Sequence, residues 1–220
     1  MKLKQLFESQ FPTSREEVED VLKTYNIKNY TINDDLTVDV DGDVNIAYKA
    51  LTLLPIKFGK VSGRFDCRNN ELTSLEGAPR EVGGSFACCT NRLTSLEGAP
   101  YEVGGNFWCY VNDLTSLKHC PKKVGGNFYC FNNKLTSLVG GPIDVGLSYD
   151  CNRNQLTTLK GAPREIDGDF ECTYNKLTTL VGAPREVSGD FDCRYNRLVD
   201  LKGKPIEIGG FFDCTSDSLD

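Results

Sequence analysis

The chain is poor in the residues that most often carry out catalysis. Its 220 residues include one histidine, His119, and neither a phosphate-binding loop with its lysine nor an isolated pair of carboxylates stands out. A single histidine leaves little for general acid–base chemistry, and the recurring glycine pairs are better interpreted as turn glycines. We therefore predict that the protein is not an enzyme and uses no cofactor and no metal ion.

Long apolar runs are also missing. No stretch of about 18 apolar residues could span a bilayer, and charges interrupt the apolar residues of the first segment, MKLKQLFESQFPTSREE. That segment therefore lacks the apolar core of a signal peptide. We expect a cytoplasmic protein that does not enter a membrane.

Positive charge is in deficit, with 25 Lys and Arg against 31 Asp and Glu, and the net charge at pH 7 is −6. Affinity for nucleic acid depends on cations that displace counterions from phosphates, so we expect no nucleic-acid partner. An acidic chain better suits a partner with a basic or neutral surface.

Cysteine is abundant, and its spacing is regular. Eight of the ten cysteines lie 21 residues apart, at Cys67, Cys88, Cys109, Cys130, Cys151, Cys172, Cys193 and Cys214. An aromatic residue precedes each by two positions, at Phe65, Phe86, Phe107, Phe128, Tyr149, Phe170, Phe191 and Phe212. An asparagine follows seven of them by three, at Asn70, Asn91, Asn112, Asn133, Asn154, Asn175 and Asn196. The chain is a tandem repeat of the unit F-x-C-x-x-N-x-L-T-S-L-x-G-x-P-x-x-V-x-G-x.

A unit of this length is too short to bury its own apolar face, so the copies must stack as a solenoid. The Phe and Cys side chains point to the same side of a short strand, into the core. The asparagine amides can bond to the backbone and bridge neighbouring coils, which predicts an asparagine ladder. Glycine and proline in the second half of each unit disfavour a helix. We predict a β-rich solenoid with non-helical returns.

The unit resembles a leucine-rich repeat, L-x-x-L-x-L-x-x-N-x-L, with Phe and Cys in the second and third leucine positions. The segment LTSLEGAP is similar to the returns of the short repeats in secreted bacterial effectors, and the whole unit resembles repeats in proteins of large tailed phages. The resemblance implies a right-handed coil with a parallel concave sheet and non-helical convex returns. It also implies a protein-binding scaffold and, for a phage-encoded chain, the cytoplasm of the host cell.

The two ends differ from the middle of the array. Residues 1–39 are predicted to form an N-terminal helical cap, because Ser14 and Glu17 make a capping box before an apolar stripe and MKLKQLFES can add a shorter helix. We assign 40–60 to a degenerate first coil, 61–207 to regular coils and 208–220 to a partial last coil. Either polar residues protect the last coil or a partner covers it, so self-association through this end, near Phe211, stays open.

The repeated cysteines suit a core position. Parallel strands lie about 4.8 Å apart, whereas a disulfide needs Cβ atoms about 3.8 Å apart and a straight row cannot surround a zinc ion. We therefore predict free, buried cysteines. His119 and Cys120 occupy the Gly-Ala positions of a return, which we interpret as an ordinary loop substitution.

The positions that the repeat leaves free predict a binding surface. Three columns of side chains point away from the core, and in the third and fourth copies they gather four aromatic residues, Trp108, Tyr110, Tyr129 and Phe131. Exposed aromatic patches usually mark contact surfaces. The following copies add acidic, tyrosine and arginine side chains, at Asp150, Glu171, Asp192, Tyr174, Tyr195, Arg153 and Arg194. An aromatic centre with a charged rim is typical of a protein-binding surface.

We therefore expect a non-enzymatic interaction module that binds a protein partner with a basic surface. Other interpretations stay open. The aromatic patch could capture a nucleotide or another flat small molecule while Arg153 or Arg194 meets a phosphate, although the acidic column would repel such a ligand. The row of carboxylates could mimic DNA, or the large and acidic side chains could simply cover the sheet and keep it in solution.

Overall fold

The fold is a solenoid of about eight coils preceded by one helix. The computed structural model describes residues 11–215. Among these residues, no helix has the length and apolar character needed to cross a bilayer. The prediction of a helix in the segment MKLKQLFES concerns residues outside the described range.

The helix, α1 (Arg15–Thr24), begins as the capping box predicts, because the Ser14 hydroxyl accepts a hydrogen bond from the Glu17 N–H at 3.2 Å. The Glu17 carboxylate accepts in turn from the N–H of Thr13 at 2.7 Å. Val18 and Leu22 are buried against the first coils. The helix thereby covers one end of the apolar core.

The segment after the helix contains a β-hairpin that the sequence analysis missed. Strands β1 (Tyr30–Ile32) and β2 (Val38–Val40) pair antiparallel around a turn in which Leu36 has a φ of 63°. The turn signal Asn-Asp-Asp at 33–35 was present in the sequence. Strand β2 then pairs in parallel with β4 (Phe58–Val61), so the hairpin joins the solenoid directly.

The remaining strands are short and fall into two sets. One set contains the repeated Val or Ile as its second residue: β6 (Glu81–Val82), β8 (Glu102–Val103), β10 (Lys123–Val124), β12 (Asp144–Val145), β14 (Glu165–Ile166), β16 (Glu186–Val187) and β18 (Glu207–Ile208). The other follows the repeated aromatic residue: β3 (Val44–Asn45), β5 (Phe65–Asp66), β7 (Phe86–Ala87), β9 (Phe107–Trp108), β11 (Phe128–Tyr129), β13 (Tyr149–Asp150), β15 (Phe170–Glu171), β17 (Phe191–Asp192) and β19 (Phe212–Asp213).

Neighbouring strands of each set, except β12 and β14, pair in parallel with a register of 21 residues, as Phe128 pairs with Phe107 and Val124 with Val103. We call the strands β1, β2, β4, β6, β8, β10, β12, β14, β16 and β18 the valine sheet, and the strands β3 to β19 with odd numbers the phenylalanine sheet. The β-solenoid with parallel strands and non-helical returns is confirmed. The sequence analysis had assigned the residues of the valine sheet to the non-helical return.

The core lies between the two sheets and the leucine returns. Rings of successive coils stack in register, with centroids 5.4 Å apart for Phe65 and Phe86 and 5.8 Å for Phe107 and Phe128. The return leucines from Leu72 to Leu198 and the repeated cysteines from Cys67 to Cys193 are buried around them, whereas Leu201 is exposed and Cys214 only partly buried. Repetition therefore makes one continuous apolar column instead of separate small cores.

The predicted asparagine ladder is present. Asn112, for example, accepts from the Leu93 N–H at 3.0 Å and donates to the carbonyls of Cys88 and Cys109 at 3.1 Å. One amide thus satisfies backbone groups of its own coil and of the coil before it. Asparagine suits this position because it offers both a donor and an acceptor on a short side chain.

A second polar ladder had not been recognised in the sequence. The residue just before a strand of the phenylalanine sheet, except Arg64 and Phe211, accepts a hydrogen bond from the same position one coil later, as Asn106 accepts from the Asn127 N–H at 2.8 Å. Asp43, Ser85, Asn127, Ser148, Asp169 and Asp190 act in the same way. Its signal was a column of short hydrogen-bonding residues, which ends at Phe211.

The valine sheet is interrupted between β12 and β14, whereas the phenylalanine sheet is continuous. On the valine side, Gly146 donates to the Val124 carbonyl and Ser188 to that of Ile166, both at 2.9 Å. Within residues 11–215 no corresponding bond links Asp167 to Val145. We call this gap, between residues 143–147 and 164–168, the seam.

The seam coincides with a change in the glycine pairs. Gly125 and Gly146 each stack on the glycine at the same position one coil before. A Cβ atom on either would overlap the carbonyl of that glycine, so the two residues can stack in this way only without side chains. The next coil has Asp167 in that position, and by the same geometry its Cβ would overlap the Gly146 carbonyl if the stack continued. Leu147 replaces the second glycine in the coil before. The backbone hydrogen bonds of the valine sheet therefore stop before Asp167. They resume between the coils of Asp167 and Ser188, which both carry side chains at this position.

Eight of the ten cysteines are free and buried, as predicted. Cys193 and Cys214 are instead joined to each other, with Cα atoms 4.6 Å apart, so the prediction of free cysteines was wrong for this pair. The argument from strand spacing treated the coil separation as fixed, whereas a Cα separation of this size lies within the range that disulfides accept.

Candidate functional site

The outer face of the phenylalanine sheet holds the predicted site residues in three columns, which have different backbone environments. Each strand is two residues long, so only the first column, which includes Trp108 and Asp150, lies within strands. The second column follows the buried cysteine. The third column is left-handed in seven coils, with φ between 52° and 55° at Asn69, Thr90, Val111, Asn132, Arg153, Tyr174 and Tyr195. The face is therefore a narrow strip of sheet bordered by a regular turn.

The aromatic residues are neighbours, as the columns predict. Tyr110 and Phe131 stack with ring centroids 4.4 Å apart and planes within 7°. Tyr129 is tilted against Phe131 at 6.3 Å, and Trp108 and Tyr129 are paired in the sheet register. All four side chains are half-buried, because each covers part of its neighbour. The patch offers ring edges and faces to a partner without being fully exposed.

Trp108 also leans across the preceding coil. Its ring lies 5.1 Å from the guanidinium carbon of Arg64, two coils away, and the coil between carries the fully buried Ala87. Cys89 in the second column is equally buried, and its thiol is hydrogen-bonded to the Tyr110 hydroxyl. That bond, with burial, raises the pKa of Tyr110 to about 12. Small residues in one coil thus let larger side chains from both sides meet above it.

The N-terminal part of this face is cationic, which the sequence analysis missed. Asp66 is only 4% exposed, and its carboxylate accepts from Arg64 Nη2 at 2.7 Å and from the Arg68 N–H at 3.2 Å. Arg68 Nε lies 3.3 Å from the same carboxylate, without the direction of a good hydrogen bond. Two guanidinium groups therefore share one carboxylate. The signal was an arginine on each side of a column that is otherwise acidic or aromatic.

The acidic residues form a connected group in the next coils. The Asn152 N–H donates to Asp150 Oδ1 at 2.9 Å, and Asn152 Nδ2 donates to Glu171 Oε2 at 2.6 Å. Burial raises the pKa of Asp150 to about 7, and the neighbouring Glu171 adds to the rise. Asp150 therefore changes charge near neutral pH, whereas the Asn152 amide fixes the position of both carboxylates.

Around Asp192 and Arg194 the ratio of charges is the reverse of that around Asp66. Arg194 Nη2 lies 2.6 Å from Asp192 Oδ2, and Arg194 Nε lies 3.5 Å from Asp213 Oδ2. The hydrogen bond with Asp192 raises the pKa of Arg194. Here one guanidinium serves two carboxylates, so Arg194 has fewer free donors for a phosphate than the sequence suggested.

The most exposed aromatic side chains of the site lie in the third column. Tyr174 and Tyr195 are 44% and 48% exposed and stack with centroids 4.3 Å apart. The Arg153 guanidinium lies over Tyr174 at 4.6 Å. The left-handed backbone of all three residues holds them in register, one per coil. This stack presents a flat surface of rings and a cation beside the acidic group.

The remaining residues of chemical interest stand apart from this face. His119 is exposed at a left-handed turn, whereas Cys120 beside it is buried, and burial raises the pKa of the Cys120 thiol. In the described part of the chain, no group of three or more His, Cys, Asp or Glu is placed to hold a metal ion. At the C-terminal coil, Val199, Ile206 and Phe211 are largely exposed.

The geometry therefore brings the eleven predicted site residues onto one face, divides them into an aromatic, an acidic and a stacked tyrosine group, and adds Arg64, Asp66 and Arg68. Comparison with known proteins finds no family model, no curated protein and no solved structure that matches this chain. What can be said of its class is that it is a repeat solenoid with coils of about 21 residues.

Proposed function

We propose that the protein is a non-enzymatic interaction module that binds a protein partner through the outer face of the phenylalanine sheet. The observation that carries this proposal is the exposed stack of Arg153, Tyr174 and Tyr195 beside the half-buried aromatic patch. Tyrosine, tryptophan and arginine are the residue types enriched at binding hot spots, and stacked rings lose little conformational entropy on binding.

The charge of the face favours a partner with basic residues opposite the acidic group. Asp150, Glu171 and Asp192 lie in consecutive coils, about 5 Å apart along the sheet. A cation of the partner would relieve their mutual repulsion, and Asp150 would then hold its charge at neutral pH. Charge complementarity of this kind mainly sets orientation and association rate, whereas the aromatic groups supply most of the affinity.

The resemblance to leucine-rich repeats, to bacterial effector repeats and to phage repeats supports the same proposal, since such repeats mostly serve as protein-binding scaffolds. We place the protein in the cytoplasm, which for a phage-encoded chain is that of the host. The exposed Phe211 supports a separate proposal, self-association through the C-terminal coil, and the mass in solution at increasing protein concentration tests it.

The test is affinity capture from a bacterial lysate with three baits and mass spectrometry of what they retain. The first bait is the native chain, the second carries Trp108→Ala and Tyr129→Ala, and the third carries Tyr174→Ala and Tyr195→Ala. We expect at least about a tenfold loss of the captured partner with both variants, the size of one to two hot-spot residues.

The matched control is Tyr101→Ala, since Tyr101 is 70% exposed but lies next to the valine sheet. This variant should retain the partner at the native level. Equal recovery with all four baits would show that the outer face of the phenylalanine sheet is not the binding surface.

A further inference from the structure

A cavity of about 380 Å³ opens where the end of helix α1 meets the first coil, at the N-terminal edge of the phenylalanine sheet. Its walls include Tyr25, Asn45, Tyr48, Lys49 and Arg68. Tyr48 is 68% exposed, and the Arg68 guanidinium carbon lies 5.9 Å from its ring centroid. Arg68 belongs to the outer face described above, but the cavity lining shares no residue with the aromatic, acidic and stacked tyrosine groups.

The charged residues that line the cavity are Asp43, Lys49 and Arg68, so its lining carries one net positive charge in a protein whose net charge is −6. Asp43 is already engaged, because its Oδ1 accepts from the backbone N–H of Arg64 at 2.7 Å. Lys49 forms no ion pair with any other residue of the described range. Its ammonium group is therefore free to meet a ligand.

Arg68 also has hydrogen-bonding capacity to spare. It competes with Arg64 for the single carboxylate of Asp66, and the buried Nε atoms of both arginines have no hydrogen-bond acceptor. The indole N–H of Trp108, which stacks on Arg64, is buried without an acceptor as well. Donors outnumber acceptors here, in contrast to the C-terminal end of the sheet, where Arg194 serves two carboxylates. Of these groups only Arg68 lines the cavity, where an anion would supply an acceptor for its guanidinium.

We propose that this cavity binds an oxyanion, a carboxylate or phosphate group, between Arg68 and Lys49. The guanidinium of Arg68 supplies paired N–H donors and Lys49 supplies a mobile ammonium group. Tyr48 and Tyr25 form the walls against which an apolar or flat part of the ligand rests. The bound oxyanion would add a second negative charge near Asp66, so that two anions would offset the positive charges of Arg64 and Arg68.

The experiment is calorimetric titration of the native chain with two probes, sodium phosphate and sodium benzoate, at an ionic strength held constant with sodium chloride. We expect saturable binding of at least one probe, and the probe that binds identifies the oxyanion as phosphate or carboxylate. Arg68→Gln and Lys49→Gln should each weaken that binding at least about tenfold, the effect of losing one charge-assisted hydrogen bond.

Arg197→Gln is the control, because Arg197 is an exposed arginine near the opposite end of the solenoid and belongs neither to the cavity nor to the proposed protein-binding surface. It should bind the probe as the native chain does. Lys49 is exposed, so its variant decides the matter even if Arg68→Gln fails to fold. The proposal is overturned if neither probe binds saturably, or if Lys49→Gln binds as tightly as Arg197→Gln.

Discussion

The two sheets of the solenoid are built from the same coils, yet one is continuous and the other is broken. The phenylalanine sheet runs through nine strands, whereas the valine sheet divides at the seam. Side chains stabilise the first sheet from both sides, through stacked rings inside and the polar ladder at its edge. Where the valine sheet meets the glycine pairs, it depends on the absence of side chains.

The comparison shows that a repeat tolerates substitution differently along its unit. At the edge of the phenylalanine sheet, one position of the repeat holds asparagine, serine or aspartate, as at Asn106, Ser148 and Asp169, because each side chain offers an acceptor to the next coil. Next to the valine sheet, a single Cβ at the glycine stack would overlap the backbone carbonyl of the coil before it. Positions that need a chemical property vary more safely than positions that need empty space.

The largest effect is expected inside the phenylalanine sheet. Phe128→Ala removes a fully buried ring from the middle of the stack and should lower the free energy of unfolding by about 3–5 kcal/mol. Val124→Ala in the same coil should cost only about 2 kcal/mol, because fewer methyl groups are lost. Urea unfolding followed by circular dichroism measures both. Equal losses would show that the two sheets contribute alike.

A smaller effect concerns Asp150 and pH. Its pKa in the folded protein, about 7, is raised above the ordinary aspartate value of 3.8, so between these values the folded state binds more protons than the unfolded state. The free energy of unfolding should therefore fall by up to about 1.4 kcal/mol per pH unit as the pH rises through this window, and level off above it. Asp150→Asn should remove this slope in unfolding experiments at pH 5 and pH 8; an unchanged slope would assign it to other groups.

The glycine stack provides the next comparison. Gly104→Ala would drive a Cβ into the Gly83 carbonyl and should cost about 2 kcal/mol of stability. Asp167→Ala, at the same position of the unit but beside the seam, should change stability by less than about 0.5 kcal/mol. Thermal unfolding compares the two variants. A tolerated alanine at residue 104 would mean that the stack is not the cause of the seam.

The coil before the seam contains a further departure from the repeat. The Tyr149 hydroxyl is buried without a nitrogen or oxygen atom as hydrogen-bond partner and lies near the Cys130 thiol, and a Cβ at Gly141 would lie 3.3 Å from it. Tyr149→Phe should raise the free energy of unfolding by about 1 kcal/mol. The double variant with Gly141→Ala, which restores the usual pair of residues, should be at least as stable. A loss of stability in Tyr149→Phe would show that the hydroxyl has a partner in solution.

The smallest effect on stability, and the most direct test of the seam, is the triple variant Leu147→Gly, Asp167→Gly, Ser188→Gly. It extends the glycine stack through the break, and the recovered hydrogen bonds are offset by the entropy of three glycines, so stability should change by less than about 1 kcal/mol. Amide hydrogen exchange at residues 164, 167 and 168 should nevertheless slow at least about tenfold. Unchanged exchange would rule out the glycine pairs as the cause.

Much of the fold follows from the spacing of residues. The period of 21, the buried Phe, Cys and Leu positions and the asparagine ladder were predictable because stacking in register repeats every environment. The hairpin at 30–40 was less visible, since its two strands are only three residues long and precede the regular copies of the repeat. The capping box was visible because it is a local pattern with a local physical cause.

Less of the candidate site could be predicted. The columns correctly placed Tyr110 beside Phe131, because neighbours in a ladder follow from the period alone. They did not reveal that Trp108 reaches Arg64, since that contact depends on the small Ala87 between them. Nor did they show that Tyr174 and Tyr195 are more exposed than the central aromatic patch, which depends on how far each side chain is covered by the next.

The sequence by itself determined the architecture, because a strict period leaves few ways to bury a repeated apolar face. The tertiary structure alone decided where the valine sheet breaks, which side chains on the outer face of the phenylalanine sheet are covered, and where cations outnumber carboxylates. Those outcomes depend on distances between coils and on the space beside small residues. A pattern of residue types fixes which positions face one another, whereas contact depends on the volumes that meet there.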